Sequence, residues 1–546
     1  MKNILLIFFT VTYIFLSLNV GSQNFYWVGF KDKNNTEYSL SKPEKYLSER
    51  ALQRRDRQQI HVDSLDLPVN KNYITQITAL GVVFVHSSKW LNGITVKSEI
   101  DSFEFKAKKL PFVKEVQLTK GSGTKSAYNK WTDEDETVAE PIDLTLYGPS
   151  SAQVSTLNGQ FLHNHGYRGL GMHIAVLDGG FYKANEYFAL DSLWDNGQIL
   201  GTKDFVDPAV DIFSTHWHGM SVLSCMGGNV QGSLIGTAPE ASYWLIRSED
   251  TGSEYLIEED NWVAAAEFAD SVGCDIINSS LGYTVFDNPA MNHTYADMDG
   301  KTTRVTRGAN IAASRGMLVF SSAGNEGNAS WKYIAAPSDG ENVIGVGAVN
   351  KDSVAAAFTS YGPAFDGKTK PNISAVGWNT YLQKSDGKLG FLNGTSFSSP
   401  VMAGMAACFW QSVSHVPATE IKKTIEKFSH LYLNPDPRLG YGIPDFEKAW
   451  KSFFPLSINQ LNKNDGWIVY PNPVTDVIYL RSNTAAIQNQ IVIEIFTPDG
   501  KLVKNWIKPE SQNIELRDIQ SLPNGILLLK ISTDKNSETI KLNKLQ

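Results

Sequence analysis

Ile174-Ala175-Val176-Leu177-Asp178-Gly179-Gly180 sets four unbroken apolar residues against a carboxylate and two glycines. A short apolar run without polar alternation is the pattern of a strand buried on both faces, and Gly-Gly marks where it stops and turns. Similar runs recur at Ser242-Tyr243-Trp244-Leu245-Ile246, Asp275-Ile276-Ile277-Asn278, Met317-Leu318-Val319-Phe320 and Val343-Ile344-Gly345-Val346. Longer helical patterns such as Trp262-Val263-Ala264-Ala265-Ala266-Glu267-Phe268-Ala269 lie between them. This alternation predicts βαβ units over residues 145–455: an α/β fold with a doubly wound, mostly parallel sheet and helices on both faces.

The flanks read differently. Residues 23–120 combine a charged helical stretch, Leu47 to Arg55, with short β-like runs at Val82-Val83-Phe84-Val85 and Gly93-Ile94-Thr95-Val96, which predicts a small α+β domain. From Thr119 to Ala139 the chain turns polar and charged, with little to bury, so residues 121–144 are expected to form an exposed linker open to cleavage. After Phe454-Pro455, turn signals at Tyr470-Pro471-Asn472-Pro473, Pro498-Asp499-Gly500 and Pro523-Asn524-Gly525 bracket apolar β runs, and a β-sandwich is expected over 466–546.

The start of the chain has Lys2, an apolar run from Ile4 to Leu18, and small residues up to Ser22, the layout of a signal peptide over 1–22. A chain of 546 residues with 42% hydrophobic and 19% charged content supports several packed domains. The net charge of -8 leaves no basic footprint for nucleic acid. Three cysteines, Cys225, Cys274 and Cys408, are too few and odd in number for a disulfide framework; Cys225 and Cys408, in apolar small-residue surroundings, read as buried hydrophobes.

Four residues stand where acyl-transfer chemistry needs them. Asp178 ends a buried strand, the place where open α/β sheets build their sites, although such a residue alone also suits a helix cap. His218 precedes Gly219 and a helix-like stretch; alone it reads more readily as a structural histidine than as a base. Ser396 stands in Asn393-Gly394-Thr395-Ser396-Phe397-Ser398-Ser399-Pro400, ahead of the small-residue helix Val401 to Ala407, so its Oγ is expected at the positive end of a helix; a simple helix cap is the plainer alternative. Asn325, in Ala323-Gly324-Asn325-Glu326-Gly327, follows a strand on a glycine turn that can aim an amide into a cleft, or is an ordinary turn asparagine.

Taken together, the order Asp, His, Asn, Ser separates this set from chymotrypsin-like and α/β-hydrolase triads. The chain resembles the subtilisin family, the subtilases, at Ala175-Val176-Leu177-Asp178-Gly179-Gly180, His218-Gly219-Met220-Ser221-Val222 and Gly394-Thr395-Ser396-Phe397-Ser398-Ser399-Pro400. Met220 stands where a threonine is usual and Val376 where a proline is common; neither removes a catalytic group. The resemblance implies a subtilisin-like fold and a serine endopeptidase. Asp178, His218 and Ser396 would be its triad and Asn325 its oxyanion donor. Ser280-Leu281-Gly282 and Ala323-Gly324 would line the substrate cleft, and Glu326 would sit at the mouth of the primary specificity pocket, favouring a basic side chain.

The resemblance also implies that 23–120 is a propeptide, an intramolecular inhibitor until cleaved. The tail resembles a type IX secretion sorting domain, so the partners are polypeptide substrates and the secretion machinery, with a final location outside the outer membrane. The chemistry itself requires no cofactor. The family's asparagine-rich calcium loop is not evident at Gly227 to Gly232; Asp297-Met298-Asp299-Gly300 is the candidate for structural calcium, against the plainer reading of a solvated loop. Two other functions stand against this one. An inactive subtilase-fold binding protein has no physical need for all four residues, and an esterase on another fold would want a Gly-x-Ser-x-Gly elbow that Ser396 lacks.

Overall fold

A computed structural model describes residues 23–121, 146–453 and, in the tail, 467–474, 477–482, 490–509, 511, 513–533 and 537–544. The expected signal peptide and nearly all of the expected linker lie outside the described residues. The chain divides into two compact units, Met1–Phe453 and Phe454–Gln546.

The first unit opens on a four-stranded antiparallel sheet of β1 (Asn24–Phe30), β2 (Val83–Ser88), β3 (Gly93–Ser98) and β4 (Val113–Lys120), in the order β2-β3-β1-β4. Helix α1 (Glu49–Arg57) begins at Ser48, whose side chain accepts from the Ala51 amide and satisfies one of the donors that a helix start leaves over. Val28, Ile77, Ile94, Val96 and Phe103 close a small core, so the expected α+β domain is present. Its last strand runs further than the polar text suggests. Thr119 is fully buried and Lys120 pairs with Phe25, so both belong to β4 and not to the start of a linker. A cross-strand partner and a covering helix override local polarity here.

The large sheet is seven-stranded and parallel throughout. Its strands are β5 (His173–Asp178), β6 (Ile199–Asp204), β7 (Ser242–Arg247), β8 (Ile276–Ser279), β9 (Leu318–Ser322), β10 (Ile344–Val349) and β11 (Ile373–Val376), ordered β11-β10-β9-β8-β5-β7-β6. Four helices position the site: α2 (His218–Gly227), α3 (Ile257–Val272), α4 (Arg304–Ser314) and α5 (Thr395–Ser412). Ala175, Leu177, Ile277 and Val319 pack with Trp262, Val263, Ala266 and Ala309 of α3 and α4. The alternate residues of each strand point the other way, because side chains change face at every step. Helix α5 packs on α2 and across β8 to β11. All of its residues are buried except Ser396, Gln411 and Ser412.

The outer surface of α3 carries the N-terminal domain through buried charges. Asp270 meets Arg54 at 2.5 Å, Arg55 at 2.8 Å and Lys89 at 3.1 Å. Glu267 accepts from the Ser88 hydroxyl and the amides of Lys89 and Trp90. Asp260 pairs with Arg304 at 2.7 Å and accepts from Thr95. Burial alone would raise the Asp270 carboxyl; Lys89, Arg54 and Arg55 together hold it far below the usual carboxylate range.

The second unit holds a three-stranded and a four-stranded antiparallel sheet, built from Trp467–Tyr470, Ile478–Ser482 and Asn513–Leu516, and from Gln490–Phe496, Leu502–Pro509, Gly525–Ser532 and Ser537–Lys544. Ile478, Leu480, Ile514 and Leu516 share one core with Ile491, Ile493, Ile495, Leu527 and Leu529, as a sandwich requires. Among the described residues no helix is long and apolar enough to cross a membrane.

Candidate active site

Asp178 ends β5 fully buried, and His218 opens α2 beside it. His218 Nδ1 lies 2.9 Å from Asp178 Oδ1 and 3.0 Å from Oδ2. The carboxylate is fixed further by the Gly179 amide, which donates to Oδ1 at 2.7 Å. The glycine after the histidine is what lets the two elements meet: a Cβ on Gly219 would stand 2.7 Å from Asp178 Cβ and 2.5 Å from the Gly180 carbonyl oxygen. His216, which the sequence reading did not single out, accepts from the His218 amide through Nδ1 at 3.3 Å. Burial, and then the neighbouring His218, push its pKa down to about 4, so its ring is neutral at neutral pH.

Ser396 stands in the first turn of α5, the one partly exposed position at the start of a buried helix. Pro400 explains part of its setting. A proline has no N–H for the carbonyl four residues before it, and the freed Ser396 carbonyl accepts from the Ser280 hydroxyl at 2.7 Å. In return Ser396 Oγ donates to the Ser280 carbonyl at 3.3 Å. The Phe397 ring lies 5.7 Å from the His218 imidazole, so this turn of α5 packs beside the histidine.

Asn325 is exposed, and its orientation is set from one side. Its Oδ1 accepts from both the amide and the hydroxyl of Thr395, each at 2.8 Å, which leaves Nδ2 as the free edge of the amide. The turn that delivers it depends on Gly324, at φ +111, whose amide donates back to Thr395 Oγ1 at 3.2 Å. Ser280-Leu281-Gly282 continues from β8 next to Ser396, and Ala323 lies buried after β9. Glu326 donates its amide to Ser360 Oγ at 3.1 Å. All four predicted chemical residues thus come from the carboxyl ends of strands or from helix starts on one edge of the sheet. Met220 and Val376, the two departures from the usual pattern, are buried core residues.

Asp297 and Asp299 spend their oxygens locally, the first on the Thr294 amide and hydroxyl, the second on Thr302 and the Lys301 amide. A group that the sequence reading passed over is better arranged for a metal: buried Glu249, Glu254 and Glu258 bring carboxylate oxygens within 4.8 Å of one another. Strand end, loop and helix separate them in sequence, so no local spacing announces them. The three cysteines are buried, and burial raises each thiol far above its ordinary pKa.

A subtilase family model matches residues 169–442, the parallel sheet together with Asp178, His218, Asn325 and Ser396. The chain belongs to the subtilase family. A peptidase S8 propeptide domain of the Bacteroidota type matches residues 25–134, and a secretion system C-terminal sorting domain matches 468–544. This subtilase therefore carries a propeptide domain ahead of its peptidase domain and a type IX sorting domain behind it, and the latter marks it for secretion across the outer membrane. It is similar to the serine protease AprX of Bacillus subtilis, 29% identical over 322 residues, which are 54% of this chain and 67% of the relative. Subtilisin NAT of Bacillus subtilis subsp. natto is 29% identical over 284 residues, 51% of this chain and 64% of the relative. Subtilisin of Bacillus pumilus is 28% identical over 303 residues, 54% of this chain and 97% of the relative. The subtilase spans about two thirds of the length of the first two.

Proposed function

We propose that the chain is a secreted serine endopeptidase, made as a zymogen, that hydrolyses peptide bonds through an acyl-enzyme. The observation that carries this reading is the buried carboxylate of Asp178 placed against His218 Nδ1, with both oxygens within 3.0 Å, while Ser396 stands partly exposed at the start of a helix whose next residue, Phe397, packs on the imidazole. Asp178 fixes the tautomer that leaves Nε2 as the basic nitrogen and stabilises the imidazolium once formed. His218 takes the proton from Ser396 Oγ as it attacks the scissile carbonyl, then returns it to the leaving amine. The oxygen of the tetrahedral intermediate gains its charge near the Ser396 amide and Asn325 Nδ2. Helix N-termini leave such amides without internal acceptors, so they cost no rearrangement when the charge appears.

In this reading the N-terminal domain holds the cleft until the linker is cut, and Glu326 biases the primary pocket toward a basic side chain. The test is labelling by a fluorophosphonate probe together with peptide hydrolysis. Ser396→Ala should abolish both and leave the fold intact, a loss of about 10⁶ in kcat, the magnitude measured in subtilisin itself. Labelling that survives in Ser396→Ala would refute the assignment.

A further inference from the structure

The side chain of the last residue of β4 is held by the peptidase domain, while its backbone pairs with Phe25 of its own. Lys120 Nζ donates to Asp250 Oδ2 at 2.9 Å and to Ser253 Oγ at 2.8 Å, and it lies 5.4 Å from the centre of the Tyr255 ring. Ser253 in turn donates to the same Asp250 oxygen at 2.7 Å, and the Gly252 amide donates to the other at 3.2 Å. The loop is braced from behind: the Asp250 amide donates to Glu258, the Glu254 amide to Asp287, and Tyr255 is buried. Burial would raise the Asp250 carboxyl, but the Ser253 hydroxyl and the Lys120 ammonium outweigh it and hold the group below its ordinary value. A carboxylate, a hydroxyl and an aromatic face set around one ammonium form a complete receptor for a lysine or arginine side chain.

Its place in the fold sets this contact apart from the rest of the interface. The buried ion pairs that cross from the N-terminal domain meet Asp270 on α3 and Arg315 just past α4, against the flank of the sheet. Asp250 instead follows β7 at the carboxyl end of the sheet, two residues after Ser248, whose amide donates to the Asp178 carbonyl at 3.0 Å. A second path reaches the same loop from the nucleophile. Ser280 is bonded to Ser396 in both directions, and three residues on, the Tyr283 hydroxyl donates to Glu249, the neighbour of Asp250. The two domains are joined only through residues 122–145, so any cut that separates them falls on the carboxyl side of Lys120.

We infer that Asp250, Ser253 and Tyr255 form a substrate subsite for a lysine or arginine side chain on the amino-terminal side of the scissile bond, filled in this structure by Lys120. The inference rests on the endopeptidase reading above and narrows its substrates to polypeptides with a basic residue upstream of the cleaved bond. After the N-terminal domain leaves, the loop remains as built, and a substrate cation takes the position that Lys120 vacates.

The test uses the full chain, exported and processed, with active sites counted by fluorophosphonate labelling. Fluorogenic peptides carry Lys, Leu or Glu at successive positions upstream of the cleaved bond. At one position the wild type should favour Lys over Leu in kcat/KM by about three- to tenfold, the range for a partly exposed ion pair seated on an aromatic ring. Asp250→Asn should bring that ratio to about one, and Asp250→Lys should turn the preference toward Glu at the same position. A wild-type ratio of one at every position, or a lysine preference unchanged in Asp250→Asn, would overturn the inference and leave Lys120 as a docking contact only. A protein that labels without discriminating loses the subsite and keeps the endopeptidase reading, whereas one that neither labels nor cleaves loses both.

Discussion

Helices α5 and α3 are both nearly enclosed, yet only α3 encloses charged side chains. Helix α5 buries Val401, Met402, Ala403, Met405, Ala406, Ala407 and Phe409 against the sheet, and its interest lies in one partly exposed serine at its start. Helix α3 buries Glu258, Glu259, Asp260, Glu267 and Asp270, acids that are rarely enclosed unless paired. Apolar burial suits a contact made once, within one domain. Three of these acids, Asp260, Glu267 and Asp270, instead meet Arg54, Arg55, Lys89, Ser88 and Thr95 of the propeptide domain, which leaves on maturation in the function proposed above. When that domain leaves, these groups return to water at no cost, whereas an apolar interface of the same extent would leave a sticky patch. The price is paid in the joined state, because a buried ion pair contributes little net stability while the loss of one partner is costly.

The sharpest way to break this comparison is to remove the hub of the charged interface. Asp270→Ala leaves Arg54 and Lys89 enclosed without their carboxylate and Arg55 with Asp66 alone. It should cost about 3 to 5 kcal/mol in urea unfolding of the joined precursor, held intact by Ser396→Ala. In the processed protein Asp270 faces solvent, and the same substitution should fall within about 0.5 kcal/mol. Equal losses in both forms would show that Asp270 supports the peptidase fold itself and that the contrast between the helices has another cause.

On the α5 side polar groups are few and aimed, so removal should affect rate more than stability. Asn325→Ala should lower kcat by about 10² to 10³, roughly 2.7 to 4 kcal/mol, with KM nearly unchanged, because the oxygen it serves carries charge only during attack. That range was measured on subtilisin's own oxyanion asparagine and is carried here by family membership. The loss in unfolding free energy should be smaller, about 1 to 2 kcal/mol, because Oδ1 also accepts from the amide and hydroxyl of buried Thr395. A raised KM with unchanged kcat would make Asn325 a substrate contact.

The same contrast explains what could be read in advance. The strands were legible because a sheet covered on both sides leaves continuous apolar runs; β5 and β7 contain the runs read from the sequence, and β8, β9 and β10 each begin one residue later than theirs. Ser396 was legible because a glycine, small residues and an early proline announce a buried helix start. The charges of α3 were not, because an acid facing a partner and an acid facing water obey the same periodicity. Arg54 and Arg55 read only as part of a charged helical stretch, yet both are buried, and Lys120 read as part of a polar segment leading into the linker. Each of these depends on a partner more than 100 residues away, beyond any local pattern.

The smallest expected effect tests whether the α3 interface also carries a neutral group that acid would charge. His86 lies in that interface, its Nε2 2.8 Å from Asn261 Oδ1, and burial lowers its pKa to about 4 although the Asn261 bond works the other way. A histidine released to water titrates near 6.5, so between these values the separated state binds the extra proton. His86 therefore stabilises the joined state above about pH 6.5, and that contribution is lost as the pH falls toward 4. Asp260 runs in the opposite sense: burial raises it to about 6, so the joined state takes up a proton first and gains stability as the pH falls from there. The two partly cancel in the wild type, which is why the comparison must be with His86→Gln, where Asp260 is unchanged. Between pH 7 and 4.5 the Ser396→Ala precursor with His86 should lose about 2 to 3 kcal/mol more in urea unfolding than the same precursor with His86→Gln. Parallel pH profiles would show that His86 is already solvated, and that the interface is sealed by its ion pairs alone.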